Sequence, residues 1–319
     1  MKVVVLGRDF ATYDSGALKL LEDYGLEVIE HSCRNLSMGS SEEDVIAALG
    51  DAEIAIVGLE PYNEKVFSQC PNLKMLSRRG IGYDSIDLAA CKKRGITVTR
   101  TVGMVEAPVA EHVIAYLFYF ARHLEEQNRT MHEHKWKRTM MPGLQNQTLG
   151  LIGFGGIGKE IAKRAVALGM EVLYYCRHPK KEWNTDFNVI YTPLDELLAK
   201  SDYVSLNVPL TPATENMCDE KFFTKMKKDS VFINIARGQI VDNNALAKVL
   251  LSSQLRGAGV DVFASEPCKD SPLHSCPTAV LTPHTAPFTI SGFSGMNYAS
   301  AENVIKYLEE TLDPKNKLI

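Results

Sequence analysis

The sequence predicts an α/β protein with two parallel β-sheets, and three observations support that prediction. Short apolar runs rich in β-branched residues alternate with helical patterns almost from end to end, which is typical of strand–helix–strand units. A polar, non-periodic stretch at 125–147 divides these units into two series. A glycine-rich turn at 153–158 then follows the first strand of the second series. Each series therefore predicts one sheet with covering helices.

The composition is typical of a folded protein with a sizeable core. Of 319 residues, 45% are apolar and 23% are charged, so the chain is neither disordered nor fibrous. At about 150 residues per domain, the length suggests two domains. The net charge of −4 is spread along the chain without a basic stripe, which argues against nucleic acid as a partner.

The chain shows no pattern of a membrane-spanning or secreted protein. Its longest apolar stretch, 113–121, is about half the length of a bilayer span, and the apolar run at 3–6 is too short for a signal sequence. The cysteines are odd in number and lack a CxxC pair, which is typical of a reducing compartment. We therefore expect a cytoplasmic protein without a membrane partner. The seven cysteines are Cys33, Cys70, Cys91, Cys176, Cys218, Cys268 and Cys276.

The individual elements follow from the apolar runs and the turns that bound them. Helices are predicted in the first series at 17–23 and 85–93, and after the glycine turn at 157–168. A terminal helix is predicted at 291–311. The predicted strands lie at 2–6, 26–29, 53–57, 73–77, 96–99, 149–152, 171–175, 203–206, 231–235, 257–262 and 279–281.

The segment between the two series predicts a long helix and an arm. A helical pattern runs over 104–127, and its middle is apolar on every face, so we expect burial on all sides. The polar stretch at 125–147 predicts an arm or linker. His132 and His134 in this stretch are two residues apart and face different sides of a helix, so we expect no metal site there.

The turn at 153–158 predicts binding of a dinucleotide cofactor. Gly153, Gly155 and Gly158 have GxGxxG spacing between a strand and a helix, which suits a tight turn, close approach to a pyrophosphate and close helix–strand packing. The first turn of the helix adds unpaired N–H groups and the positive end of its dipole.

The end of the next strand favours NADP over NAD. Dinucleotide folds that prefer NAD usually place an acid about 20 residues after the glycine turn to bind the ribose. Here the strand ends in Tyr175-Cys176-Arg177-His178 without an acid, and Arg177 suits a 2′-phosphate. The preference is slight, because an absent carboxylate weakens NAD binding without forbidding it. The alternative is a solvated basic loop.

Three candidate catalytic residues follow predicted strands of the second series. Arg237 follows 231–235, Glu266 follows 257–262 and His284 follows 279–281. Ligands collect at the carboxyl ends of strands in open α/β sheets. Taken singly, each also fits a surface cation, a turn acid or a half-buried imidazole.

Together with the glycine turn, these residues resemble the D-isomer-specific 2-hydroxyacid dehydrogenases over nearly the whole chain. The motifs occur in the order typical of that family. They are Gly80-Ile81-Gly82-Tyr83-Asp84 with Ile86-Asp87-Leu88, Lys93-Arg94-Gly95-Ile96-Thr97-Val98, Val109-Ala110-Glu111-His112, Thr148-Leu149-Gly150-Leu151-Ile152-Gly153, Val208-Pro209-Leu210-Thr211-Pro212-Ala213-Thr214, Asn234-Ile235-Ala236-Arg237-Gly238, Gly259-Val260-Asp261-Val262-Phe263 with Glu266-Pro267, and Thr282-Pro283-His284.

The resemblance implies a fold of two domains. A Rossmann-type doubly wound parallel sheet would form the dinucleotide-binding domain at 102–284. A flavodoxin-like α/β substrate domain would be discontinuous in sequence, at 1–101 and 285–319. The family usually forms homodimers through the cofactor domain and the arm at 125–147, so we expect a homodimer.

The resemblance also implies roles for individual residues. Arg237, Glu266 and His284 would form the catalytic triad, in which Arg237 and His284 also contact the substrate. Arg78, Arg79, Gly80 and Ile81 would bind the substrate, with the backbone at 79–81 holding its carboxylate. The implied cofactor-binding residues are Gly153, Gly155, Gly156, Ile157, Gly158, Cys176, Arg177, Val208, Pro209, Thr214, Ile235, Ala236 and Asp261.

These residue types suit hydride transfer between NAD(P)H and a small 2-keto acid, such as glyoxylate or hydroxypyruvate. His284 would exchange the proton, Glu266 would orient the imidazole, and Arg237 would hold the carboxylate. One alternative is a phosphoglycerate dehydrogenase acting on 3-phosphoglycerate or phosphohydroxypyruvate, since Arg78 matches an arginine near the phosphate in those enzymes. Another is a non-catalytic NADH-sensing module. A formate dehydrogenase would pair its histidine with glutamine, and Glu266 argues against that.

Overall fold

The computed structural model describes residues 1–7, 10–30, 36 and 38–319, which fall into two units. The first unit comprises Met1–Val105 and Pro287–Ile319, and the second comprises Glu106–Ala286. Each unit is built around one parallel sheet, so the predicted α/β class is confirmed.

The first unit has five parallel strands in the order β2-β1-β3-β4-β5. This is the flavodoxin-like order, in which the chain reverses its direction across the sheet between β1 and β3. The strands are β1 (Lys2–Val5), β2 (Glu27–Glu30), β3 (Ile54–Val57), β4 (Met75–Arg78) and β5 (Thr97–Thr99).

Helices cover both faces of this sheet. On one face, Val3 and Val5 pack with the first helix and the last helix of the chain. On the other face, Val4 and Leu6 pack with the other three helices of this unit. Successive side chains of a strand point to opposite faces of the sheet, so neighbouring residues of a strand that is buried on both faces contact different helices. These helices are α1 (Gly16–Asp23), α2 (Glu42–Leu49), α3 (Glu64–Gln69), α4 (Leu88–Arg94) and α12 (Ile290–Leu308).

The second unit has seven parallel strands in the order β12-β11-β10-β9-β6-β7-β8. This is a Rossmann-type doubly wound sheet, and its direction reverses between β6 and β9. The two-residue strand β8 has no counterpart among the predicted strands. The strands are β6 (Thr148–Ile152), β7 (Glu171–Tyr175), β8 (Ile190–Tyr191), β9 (Tyr203–Leu206), β10 (Val231–Asn234), β11 (Gly257–Val260) and β12 (Ala279–Leu281).

The helices of the second unit begin with two in direct succession. The remaining five follow the strands of the sheet. In chain order they are α5 (Glu106–Arg122), α6 (Leu124–His132), α7 (Gly156–Ala167), α8 (Glu182–Asp186), α9 (Leu194–Lys200), α10 (Glu220–Lys225) and α11 (Asn243–Leu251).

Two predictions for the segment before β6 are wrong. The helix expected over 104–127 is interrupted at His123, whose φ of 47° lies in the left-handed region and separates α5 from α6. The expected burial on all sides also fails, because Ala115 is exposed and Phe118 is 37% exposed. The arm is in turn partly helical, since α6 covers its first eight residues and has no buried residue.

The described part of the chain contains no helix long and apolar enough to cross a membrane. Cys33 lies outside the described residues, and the other six cysteines are free thiols.

Candidate active site

Most of the candidate residues lie at one edge of the seven-stranded sheet. All its strands are parallel, so their carboxyl ends meet at the same edge. Gly153 follows β6, Arg237 follows β10, and His284 follows β12. The glycine turn therefore lies where the strand order reverses, on the same edge as the three catalytic candidates.

The glycine turn forms an open cradle at the start of α7. Gly153 has a φ of 98°, and a Cβ there would lie 2.5 Å from the carbonyl oxygen of Asn207. A residue with a side chain would be strained and would clash. Gly155 is the N-cap of α7, and no atom lies within 4 Å of where its Cβ would be. An exposed helix N-terminus with this space fits a pyrophosphate.

Burial increases along the rest of the turn. Gly156 is exposed, Ile157 is half-buried and Gly158 is buried. A Cβ on Gly156 would lie 2.9 Å from the Cγ of Glu106, which is buried at the start of α5. No sequence motif links Glu106 to the glycine turn, so this contact could not be predicted from the sequence.

An aromatic cluster supports the end of β7. Tyr174 is fully buried, and its ring centroid lies 4.4 Å from that of Phe154 in the glycine turn. Cys176 is half-buried, and burial raises the pKa of its thiol. Arg177 is exposed beside it. This strand end presents a neutral thiol and a cation where an acid would bind the ribose of NAD.

The loops after β9 and β10 are fastened by side-chain hydrogen bonds. Thr214 Oγ1 donates to the carbonyl of Pro209 at 2.7 Å and closes the loop that begins at the half-buried Val208. Asn234 Nδ2 donates to the carbonyl of Arg237 at 3.0 Å, and Asn234 Oδ1 accepts from the N–H of Ala236. Ile235 and Ala236 are buried between them. The backbone of the Arg237 loop is therefore fixed.

The structure brings Glu266 and His284 together. Nδ1 of His284 lies 2.7 Å from Oε2 of Glu266, and Oε1 of Glu266 accepts from the N–H of Phe263 at 2.9 Å. Burial opposes the charge of Glu266. The bond to His284 and the charges of His284 and Arg237 outweigh it, so the pKa of Glu266 lies below its ordinary value. Glu266 is therefore a carboxylate at neutral pH.

Asp261 is buried beneath the turn that carries His284. Its Oδ1 accepts from the N–H of Thr285 at 2.8 Å, and its Oδ2 accepts from the N–H of Ala286 at 2.9 Å. Its carbonyl accepts from the N–H of His284 at 2.7 Å. The carboxylate thus has partners within its own chain, and its predicted contact with the cofactor stays a prediction.

The predicted substrate-binding residues at 78–81 belong to the first unit, at the carboxyl end of β4. Arg78 and Arg79 are only 5% and 8% exposed, so both side chains are buried. Arg78 donates to the carbonyl of Arg79, and the guanidinium of Arg79 lies 4.8 Å from the ring centroid of Phe293. Both side chains are held by the chain itself.

Two N–H groups of the predicted carboxylate-binding backbone at 79–81 have partners within the same unit. The N–H of Arg79 donates to Val57 at 2.9 Å, and the N–H of Gly80 donates to Thr101 Oγ1 at 2.8 Å. An N–H group has one proton to donate, so these two are engaged within the unit. Ile81 is then the remaining candidate of the three for a backbone donor.

Within the described ranges, no three side chains among His, Cys, Asp and Glu are grouped so that they could hold a metal ion.

Comparisons with known proteins agree on one family. Residues 114–286 match the family model described as D-isomer specific 2-hydroxyacid dehydrogenase, NAD binding domain. A glyoxylate reductase of Korarchaeum cryptofilum is 36% identical over 283 residues, which cover 86% of this chain and 85% of the relative.

Solved structures with the same fold include cofactor complexes. An acyclic imino acid reductase, Bsp5, in complex with NADPH and D-Arg has a TM-score of 0.87 and 29% identity, with 100% of both chains covered. D-lactate dehydrogenase from Aquifex aeolicus, complexed with NAD and lactic acid, has a TM-score of 0.86 and 26% identity, with 100% of this chain and 99% of that chain covered.

Proposed function

Because this chain belongs to the D-isomer-specific 2-hydroxyacid dehydrogenase family, we propose that it reduces glyoxylate or a similar small 2-keto acid to the D-2-hydroxy acid with NAD(P)H. It is an NAD(P)-dependent oxidoreductase with a small-molecule substrate. The observation that carries the proposal is the 2.7 Å contact between His284 and an ionised Glu266. This pair follows β11 and β12, on the edge that carries the dinucleotide turn.

The roles of the three residues follow from their contacts. Nδ1 of His284 faces Glu266, so Nε2 is the nitrogen that exchanges a proton with the carbonyl oxygen of the substrate. The ionised Glu266 fixes the orientation and the tautomer of the ring. Arg237, on its fastened loop, would hold the substrate carboxylate and polarise the carbonyl. A bound nicotinamide supplies the hydride.

The two units would bind different molecules. We propose that the unit with the glycine turn, Glu106–Ala286, is the dinucleotide-binding domain. The unit formed by Met1–Val105 and Pro287–Ile319 would be the substrate domain, with Ile81 as a backbone donor to the substrate. A cytoplasmic location agrees with six free thiols among the described residues.

The test is a spectrophotometric assay of NADH and NADPH oxidation. The substrates would be glyoxylate, hydroxypyruvate, pyruvate, branched 2-keto acids and phosphohydroxypyruvate. We expect turnover with glyoxylate or hydroxypyruvate. Turnover with phosphohydroxypyruvate alone would favour the phosphoglycerate dehydrogenase alternative, and no turnover with any substrate would favour the NADH-sensing module.

For the cofactor, we propose a slight preference for NADPH that depends on Arg177. Replacing Arg177 by Ala removes the cation nearest Cys176 at the end of β7. The KM for NADPH should rise about tenfold, because a hydrogen bond to a charged group contributes about 1.5–3 kcal/mol. The KM for NADH should change far less.

Lys228→Ala is the matched control for Arg177→Ala. Lys228 is also exposed, but it precedes β10 and so lies at the opposite edge of the same sheet. Equal effects of Arg177→Ala on the two cofactors would remove the phosphate-pocket argument.

We also propose a homodimer formed through the arm and α5. Trp136 is 76% exposed and Met140 is 96% exposed, and large apolar side chains left in water mark interaction surfaces. Light scattering should give about twice the 35.4 kDa of one chain. Trp136→Ala combined with Met140→Ser should lower that mass. A monomer of the unaltered protein would contradict the proposal.

A further inference from the structure

Helix α5 presents a row of aromatic side chains to the strands that lead to His284. His112, Tyr116 and Phe120 are spaced by four residues and so lie on one helix face. The rings of His112 and Tyr116 meet edge to face, with centroids 4.8 Å apart. None of these three residues belongs to the predicted triad or to the glycine turn.

A glycine in β11 makes room for Tyr116. A Cβ on Gly259 would lie 2.7 Å from the Cγ of Tyr116, so any larger residue would displace the ring. Tyr116 is buried in this place, and its hydroxyl lies 2.6 Å from Oγ1 of Thr282, directly after β12. Nε2 of His112 lies 3.1 Å from the same oxygen.

The direction of each hydrogen bond around Thr282 follows from the donors available. Oγ1 of Thr282 lies 2.5 Å from Oδ1 of Asp261, and a carboxylate only accepts. The single proton of the Thr282 hydroxyl therefore points to Asp261. The hydroxyl of Tyr116 and the Nε2–H of His112 must then donate to Thr282. Burial raises the pKa of Tyr116, so the phenol keeps the proton that it donates.

The same carboxylate holds the turn that carries His284. Asp261 accepts from Thr282 before His284 and from the N–H groups of Thr285 and Ala286 after it. His284 itself has a φ of 53°, in the left-handed region, which costs free energy for a residue with a side chain. The surrounding hydrogen bonds therefore maintain the conformation in which the imidazole meets Glu266.

We infer that Tyr116 and His112 are positioning residues for His284: they keep the Thr282 hydroxyl on Asp261 and so fix the turn 282–286. The inference rests on the proposed role of His284 as proton donor. Helix α5 would then act on the reaction through His284, without touching the reacting atoms.

The test compares variants that remove or keep single hydroxyl groups. Thr282→Val removes the central hydroxyl, Thr282→Ser keeps it, and Tyr116→Phe removes one donor to it. Tyr119→Phe is the matched control, because Tyr119 lies on the same helix but its hydroxyl donates to Glu125. Should Thr282→Val fail to fold, Tyr116→Phe still tests the inference.

Kinetics give the first readout. We expect kcat to fall about a hundredfold in Thr282→Val and about tenfold in Tyr116→Phe, since small misplacements of catalytic groups have effects of this order. The KM for glyoxylate should change less than kcat, because His284 acts on the reacting oxygen in the transition state. Thr282→Ser and Tyr119→Phe should stay within about twofold of the unaltered enzyme.

Proton NMR of the imidazole N–H gives a readout that does not depend on turnover. The proton on Nδ1 of His284, assigned by its loss in His284→Ala, should shift or broaden in Thr282→Val and Tyr116→Phe and persist in Tyr119→Phe. An unchanged resonance and an unchanged kcat in Thr282→Val, with only a lower melting temperature, would overturn the inference. Failure of the unaltered protein to reduce any keto acid would instead overturn the proposed function.

Discussion

His284→Ala should lower kcat for glyoxylate reduction by about 10²–10⁴-fold, the usual contribution of a positioned general acid. The imidazole is the group bonded to Glu266 at 2.7 Å. Its removal leaves the carbonyl oxygen to take its proton from water. Affinity for NADPH, measured by quenching of the cofactor's fluorescence, should remain, because the glycine turn lies after another strand of the sheet. Steady-state assays at saturating NADPH measure the change.

A second histidine of the same unit provides the control for His284→Ala. His274 is exposed, and its Nε2 lies 4.0 Å from Sγ of Cys268 rather than near Glu266. His274→Ala should therefore leave kcat unaltered. The double variant with Glu266→Gln and His284→Ala should be no slower than His284→Ala alone, because the two residues act as one unit. Near-normal turnover in His284→Ala would exclude His284 as the proton donor.

The sequence alone predicts the edge of the sheet at which these residues meet. The strands β10, β11 and β12 are short apolar runs that end close to Arg237, Glu266 and His284. Parallel strands place their carboxyl ends together, so separation in sequence does not matter for this prediction. The glycine turn can also be recognised in the sequence, because its positive φ and its close backbone contacts require residues without a side chain.

Features that depend on contacts between distant residues could not be predicted. Tyr116 and Thr282 are 166 residues apart, and Tyr116 on its own reads as one more apolar residue of a helix. The burial of Arg78 and Arg79 is a second such feature, because arginine is mostly found on protein surfaces. Their burial depends on packing such as that of Arg79 on Phe293.

Local conformation accounts for the errors in the helices and strands. The break between α5 and α6 occurs at His123, which adopts a positive φ although it is not glycine. The residue types at this place do not predict a break. The strand β8 has only two residues, fewer than any periodic pattern can reveal. Both errors therefore concern local backbone conformation, which the apolar pattern of the sequence does not encode.

Glu266→Gln should lower kcat at neutral pH by about 10–100-fold, because the group that orients His284 loses an acceptor. The carboxylate accepts from Phe263 with one oxygen and from His284 with the other. A glutamine has one acceptor oxygen and one donor nitrogen at these places. It therefore cannot accept from both groups, and the imidazole loses its fixed orientation toward the substrate.

The measurement is kcat/KM for glyoxylate across pH. The pKa of Glu266 lies below its ordinary value, so the unaltered enzyme keeps this carboxylate ionised as the pH falls, and the bonded pair is lost only when the pH falls through that lowered pKa. The variant has no carboxyl group at this place and should show no loss of activity from this source. Glu220→Gln, which removes an exposed carboxylate paired with Lys248 at 2.6 Å, should leave kcat and the pH profile unchanged. If kcat and the pH profile of Glu266→Gln coincided with those of the unaltered enzyme, Glu266 would have no part in orienting His284.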